Sequence, residues 1–319
     1  MSDASAAAWE PVPARDAATI MLVRDTHGPD GPALEVCMLR RHLDSDFVGG
    51  AYVFPGGKVD EDDRSTAAGD ACAGRDDAGA SDLLGIASGG LAFWVAALRE
   101  CFEEAGVLLA YREHQGPGGV LIEMSDPAAR RRLAASRDEL NAGEVPFLEL
   151  LRREGLRLAV DKVHYFSHWV TPELSPKRYD TRFFVAALPP GQVPVHDDYE
   201  MIATVWVRPA EALERSAAGD FELIFPTVKN LEAISRFATS EELLAAAAAI
   251  ERVPTVLPRV VADDHGFRIV LPGDPGYDDA VGALTKAGGD ELSSAELSAI
   301  IGSVGADGRS GQGRAGTGR

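Results

Sequence analysis

Apolar runs bounded by polar, turn-rich stretches pick out the first elements of the chain. Ala18-Thr19-Ile20-Met21-Leu22-Val23 and Leu34–Leu39 both read as strands, and the turn-rich stretch His27–Pro32 between them makes an antiparallel hairpin. A third short strand, Tyr52-Val53-Phe54, runs into Pro55-Gly56-Gly57. From Asp60 to Gly90 the periodicity fades into Asp, Ala, Gly and Ser, the composition of a mobile surface insertion. Leu91–Ala105 is then rich in strong helix formers, and Gly106 stands where a left-handed helix end needs glycine.

A second helical region over Asp126–Arg153 carries an apolar stripe through Leu133, Leu140 and Phe147, with Arg130-Arg131-Arg132 beside it. Strand patterns return at His164–Val170, Arg182–Leu188 and Ile202–Val207, and helical ones at Pro209–Arg215, Pro226–Arg236 and Glu241–Glu251. Val256–Val261 and Phe267–Leu271 predict a late hairpin around Asp263-Asp264-His265-Gly266. Strands flanked by helices without regular βαβ alternation predict a mixed α/β sandwich. The expected organisation is a flexible start over 1–14 and a main domain over 15–236, interrupted by insertions at about 64–90 and 126–160. A helix-and-hairpin extension follows over 237–301, and a Gly-, Ser- and Arg-rich disordered tail over 302–319.

Charge narrows the function. Fifty acidic against 31 basic residues give a net charge of −19, which repels nucleic-acid backbones. A small anionic substrate is still accessible, because divalent ions reverse the sign locally. Cys37, Cys72 and Cys101 show no metal or disulfide spacing, as in the reducing cytoplasm. No apolar run approaches the roughly 20 residues of a membrane span, and Met1–Pro13 lacks the pattern of a signal peptide.

Two segments carry chemistry: Phe54-Pro55-Gly56-Gly57-Lys58-Val59-Asp60 and Arg99-Glu100-Cys101-Phe102-Glu103-Glu104-Ala105-Gly106-Val107. On a helix, Glu100, Glu103 and Glu104 crowd one arc of about 100°, and unpaired like charges at that spacing are destabilising. Such a cluster is either a solvated face, with Arg99–Glu103 an ordinary ion pair, or a site for a hard cation that takes carboxylate oxygens. Likewise Pro55-Gly56-Gly57 is either a tight turn or a place where bare backbone approaches a metal or phosphate.

Together the two segments resemble the Nudix box, Gly-x5-Glu-x7-Arg-Glu-U-x-Glu-Glu-x-Gly-U with U aliphatic. Gly57, Arg99, Glu100, Glu103, Glu104, Gly106 and Val107 fill specified positions, and Cys101 stands at an aliphatic one. Asp63 falls at the early Glu position, with Asp60, Glu61 and Asp62 as alternatives, and residues 64–98 put 35 residues where the pattern has seven. A split box is similar to that of the Nudix-motif-19 branch. So are the runs Arg15–Thr19, Gly49–Gly57, Trp169-Val170-Thr171-Pro172 and Arg178–Phe184, a resemblance covering roughly 15–235.

The resemblance implies an α/β/α sandwich with a mixed sheet, and metal-dependent hydrolysis of coenzyme A or its thioesters to 3′,5′-ADP and a 4′-phosphopantetheine product. It implies Mg²⁺ or Mn²⁺ on Glu100, Glu103, Glu104 and the Gly57 carbonyl, with Arg99 orienting the glutamates. Glu100 or Glu200 would be the base; Glu200 lies six residues before Trp206, a common family placement for a further acid, and a solvated acidic turn is its alternative. A related coenzyme A signature has Gly50 in place but Asp46 at its Arg position; Arg40, Arg41, Arg178 and Arg182 are candidate substrate contacts, with Lys177 beside them. His164 and His168 have a helical metal spacing inside a strand-like segment, which favours ordinary core histidines. The partner implied is a small-molecule nucleotide, and a homodimer is compatible. Alternatives are a pyrophosphatase for NADH, ADP-ribose or a nucleoside triphosphate, or a non-catalytic sensor on the same scaffold, which the intact glutamate set disfavours.

Overall fold

The computed structural model describes residues 11–28, 31–45, 49–173, 175–263, 266–278 and 280. The start over 1–10, Asp46, and the extension and tail beyond 280 lie outside the described residues.

The long first strand, β1 (Arg15–Gly28), organises the molecule. Its second half forms an antiparallel hairpin with β2 (Gly31–Arg41), while residues 17–19 pair with β4 (Gly56–Lys58). β3 (Tyr52–Val53) pairs with β2. The alternation of β1 sorts its side chains between two cores: Ala18, Ile20 and Leu22 face one, Met21 and Val23 the other.

The segment between β4 and the long helix is ordered, contrary to the mobile insertion that its composition predicts. A 3₁₀ turn (Asp62–Arg64), α1 (Thr66–Asp70), β5 (Cys72–Ala73) and α2 (Asp77–Leu84) fill it. Its few apolar residues are placed to bury: Cys72, Ala73, Ala80 and Leu84 are all inside. The Asp residues are caps and tethers. Asp76 caps α2, and the Asp77 carboxylate accepts from the amides of Gly89 (2.9 Å) and Leu91 (3.0 Å), tying α2 to the start of α3 (Leu91–Ala105). A second small sheet, in the order β5-β7-β6, adds β6 (Ala110–Arg112) and β7 (Leu156–Ala159), neither of which the sequence pattern marks.

The helical stretch from 126 to 153 divides in two. α4 (Pro127–Asn141) is capped by Asp126, and α5 (Phe147–Glu154) begins after Gly143, whose positive φ of 71° ends the first run, and after Pro146.

β8 (His164–Val170), β9 (Tyr179–Ala187) and β10 (Met201–Val207) complete the main sheet. β9 lies parallel to β1 and antiparallel to β8. The helices α6 (Pro209–Ala218), α7 (Phe225–Ile234) and α8 (Ser240–Ala248) follow. β11 (Thr255–Val256) joins the edge of β8, which removes Val256 from the late hairpin; that hairpin is β12 (Arg259–Asp263) with β13 (Gly266–Val270). The sheet order is β10-β2-β1-β9-β8-β11, mixed in direction. α3 packs on one face with Phe184 and Ala186; α7, α8 and Ile269 pack on the other with Phe183 and Val185. This is an α/β/α sandwich. No described helix is long and apolar enough to cross a membrane.

Candidate active site

α3 is a buried beam with one polar corner. Trp94 anchors it, packing on Phe184 at a centroid separation of 4.6 Å and donating its indole N–H to the Val163 carbonyl at 2.9 Å. Gly106 ends it in the left-handed region (φ 66°).

At the corner, Arg99 uses all five guanidinium donors. Nε and Nη2 grip the two oxygens of Asp63 at 3.1 and 2.9 Å, and Nη2 also reaches the Lys58 carbonyl at 2.9 Å. Nη1 holds Glu100 at 3.0 Å and Glu103 at 2.9 Å. Burial alone opposes the Arg99 charge, but the Asp63 hydrogen bonds and the charges of Glu100, Asp63 and Glu103 raise its pKa well above the ordinary value. Of the four acids that the sequence offers for the early box position, Asp63 is the buried one facing Arg99. The more exposed Asp60 stands 3.4 Å from the same guanidinium.

Glu100 and Glu104 also lie against β4. A Cβ on Gly57 would sit 2.3 Å from Glu100 Oε1, so only glycine lets the strand backbone lie this close to the carboxylate. Glu104 Oε2 accepts from the Gly56 amide at 2.8 Å. Burial pushes Glu100 up to about 7, with Arg99 pulling against it and Glu103 adding to it. Burial likewise raises Glu104 well above the usual carboxylate range, and Glu100 adds to the shift. Two buried carboxylates whose charges are only partly offset, by Arg99 for Glu100 and by the Gly56 amide and Arg41 for Glu104, form a hard-oxygen donor set that fits a divalent cation. Among the described residues, no three His, Cys, Asp or Glu side chains already converge as a cage. Glu103 faces Arg99 rather than the cleft.

That cleft has a volume of about 850 Å³ and is lined by Glu100, Glu104, Glu200, Arg41 and Lys58 as well as by Phe54, Trp169, Phe183 and Phe225. Its floor is a row of directly paired strand residues, Lys58–Ala17–Thr181–Trp169, on the face of the sheet that carries α7 and α8.

The NUDT19 Nudix domain model matches residues 75–234. The acyl-coenzyme A diphosphatase NUDT19 of Gallus gallus is 31% identical over 304 residues, an alignment covering 82% of this chain and 79% of the relative. The chain belongs to the NUDT19 Nudix family. The Homo sapiens protein of the same name is 29% identical, with 78% and 74% covered. A Nudix hydrolase from Alicyclobacillus acidocaldarius shares the fold at a TM-score of 0.55 and 26% identity, covering 73% of this chain and 96% of that one. The chain is therefore a Nudix hydrolase.

Against that Nudix frame the predicted substrate arginines separate. Arg41 lines the cleft, anchored by Ser45 Oγ at 3.1 Å and standing 4.0 Å from Glu200. Arg40 turns to the Gly50 carbonyl (3.2 Å) and the ring of Tyr52. Arg178 and Arg182 are both engaged by contacts within the protein. Arg178 is buried between the carbonyls of Val12 (2.7 Å) and Thr171 (3.1 Å). Arg182 is buried between Asp180 (2.6 Å) and the face of Phe93 (4.4 Å). Arg182 lies on β9 and Arg178 immediately precedes that strand, and the sequence does not reveal which partners they meet.

His164 and His168 lie on a strand as expected, and His168 is held by Asp180 and by Thr255 Oγ1 at 2.9 Å. Arg132 of α4 pairs with Glu154 of α5, and neither lines the cleft. Glu200 is presented by a loop built on Asp197, whose Oδ1 accepts from the amides of Tyr199, Glu200 and Met201 at 3.1, 3.1 and 2.9 Å. Phe225 is a cleft residue that the sequence leaves unmarked, and Lys58 and Trp169, though inside quoted runs, carry no local sign of a place in the cleft.

Proposed function

We propose that the chain hydrolyses the pyrophosphate bond of coenzyme A or an acyl-coenzyme A, using Mg²⁺ or Mn²⁺. One observation carries this reading: buried carboxylates with Arg41 and Lys58 share a cleft with an aromatic floor of Phe54, Trp169, Phe183 and Phe225. The substrate has the same two parts, an anionic pyrophosphate and a long pantetheine arm. The printed names of the relatives point the same way.

In this reading Glu100 and Glu104 would hold the cation with the Gly57 carbonyl, and Glu103 would have to turn from Arg99 to join them. When bound, the ion neutralises pyrophosphate charge and makes a bound water more acidic. Arg99 fixes the directions of Glu100 and Glu103. Arg41, with Arg40 behind it, supplies charge-assisted hydrogen bonds to phosphate oxygens. Glu200, exposed at the cleft and near Arg41, takes the proton of the attacking water, with Glu100 as the other carboxylate in reach of the role. Three unpaired cysteines support a cytoplasmic setting.

The test is incubation with Mg²⁺ and a panel of coenzyme A, octanoyl-coenzyme A, NADH, ADP-ribose and ATP, with products identified by mass. The expected products are 3′,5′-ADP and a 4′-phosphopantetheine species from the first two. Faster cleavage of NADH, ADP-ribose or ATP would replace the substrate assignment.

A further inference from the structure

The cleft does not end within the segment matched by the Nudix family model. Pro258 and Ile269 also line it, both from the C-terminal part that follows residue 234. Ile269 lies on β13, packs into the same core as Trp169 and Phe225, and is 8% exposed. Pro258 is the buried residue between β11 and β12.

Strand register gives a ruler for what reaches this wall. Lys58 pairs with Ala17, Ala17 with Thr181, Thr181 with Trp169, and Trp169 with Val256. Directly opposed residues share a face of the sheet, so these five form one row across the cleft side. Four inter-strand steps at about 4.8 Å make the row roughly 19 Å long. It begins beside the carboxylates at β4 and ends at β11, two residues before Pro258.

A pantetheine arm fits that row. From its phosphorus to its sulfur run about thirteen bonds. An extended chain advances roughly 1.2 Å per bond, by analogy with the three-bond residue repeat of a polypeptide, so the arm spans about 16 Å. A pyrophosphate at Glu100 and Glu104 thus brings the thioester sulfur to the neighbourhood of Trp169 and Val256. Whatever is attached to the sulfur goes on toward Pro258 and Ile269, where the walls are apolar.

Resting on the coenzyme A reading above, we infer that the β12–β13 hairpin, through Ile269 and Pro258, binds the acyl group of an acyl-coenzyme A and sets the preference for acyl over free coenzyme A. Ile269 is a specificity residue here, remote from the bond that breaks.

The experiment compares kcat/KM for octanoyl-coenzyme A and free coenzyme A, with Mg²⁺, in the full chain and in Ile269→Asp. The wild type favours the octanoyl substrate, and the octanoyl-to-free ratio falls roughly tenfold in the variant, since a charge at the wall denies several methylenes their apolar surroundings. Ile269→Met restores the ratio. A merely structural role lowers both substrates together and leaves the ratio unmoved, which overturns the inference. A second measurement needs no variant. In EDTA, octanoyl-coenzyme A slows amide hydrogen exchange across Arg259–Val270 more than free coenzyme A does, and equal protection also overturns the inference. The two failures are distinct: a wild type that cleaves neither compound removes the coenzyme A reading itself, whereas cleavage of both with an unmoved ratio removes only the hairpin's role.

Discussion

At the scale of single residues, the site depends on two contacts that tolerate little change. Gly57→Ala would drive a methyl group into Glu100, since the Cβ position lies 2.3 Å from its Oε1. The carboxylate must swing away, and a displacement of that size near a reacting centre costs roughly 100-fold in rate. The expected outcome is a kcat/KM reduced by about two orders of magnitude with an almost unchanged melting temperature; a fully active Gly57→Ala enzyme would remove Glu100 from the chemistry. Asp63→Asn addresses the other contact. It leaves the buried Arg99 without its two-pronged partner, and breaking one side of a buried pair costs about 3 kcal/mol. Urea unfolding should show that loss, and turnover should fall with it because Arg99 also aims Glu100 and Glu103. The glutamates were legible in the sequence because helical spacing alone brings them together. Asp63 fell at the early box position there but stayed interchangeable with its neighbours, because four acids in a row, Asp60 to Asp63, differ only in which one folds inward.

Elements show where composition misleads. The stretch from Asp60 to Gly90 has the makeup of a mobile loop, yet Asp76 and Asp77 serve as cap and tether and Ala68, Ala73 and Ala80 pack inside. Short buried pieces such as Cys72–Ala73 have no periodicity to detect, whereas the 15-residue α3 declared both of its ends. Trypsin should therefore spare Arg64 and Arg75 in the native protein: Arg64 is held by Asp16 at 2.5 Å, and Arg75 lies over Trp94 at 5.2 Å. Asp77→Ala, which frees Gly89 and Leu91, should make Arg75 cleavable, and rapid cutting of the parent at that site would refute the tether. Strands β8 and β9 are joined in another way. Burial of Asp180 alone would raise its pKa, but the hydrogen bond from His168 and the charge of Arg182 outweigh it and hold Asp180 below the ordinary aspartate value of 3.8. A lowered folded pKa means stability that is complete above 3.8 and lost as the pH falls through the folded value. The stability difference between wild type and Asp180→Asn should accordingly be largest near neutral pH and shrink in acid, as read from urea midpoints.

For the whole molecule, the three cysteines report on integrity. All are buried, and burial pushes Cys37 and Cys72 up to about 12 and Cys101 well above its ordinary value. A thiol reagent at pH 8 should find essentially none reactive in the native protein and all three in urea; prompt labelling of the native form would mean that a core opens readily. The sandwich itself was readable from alternating strands and amphipathic helices, but the sheet order was not, because no local pattern says that β1 pairs with β9.

That pairing has a consequence for synthesis. β1 has its antiparallel neighbour β2 within a few residues, but its parallel neighbour begins at Tyr179, after most of the domain has been made. At a translation rate of about 5–20 residues per second, a gap of roughly 160 residues leaves one edge of a long apolar strand open for roughly 8–30 s. A nascent chain in that interval is a natural client for a ribosome-associated chaperone, and a pause placed before β9 would lengthen its exposure.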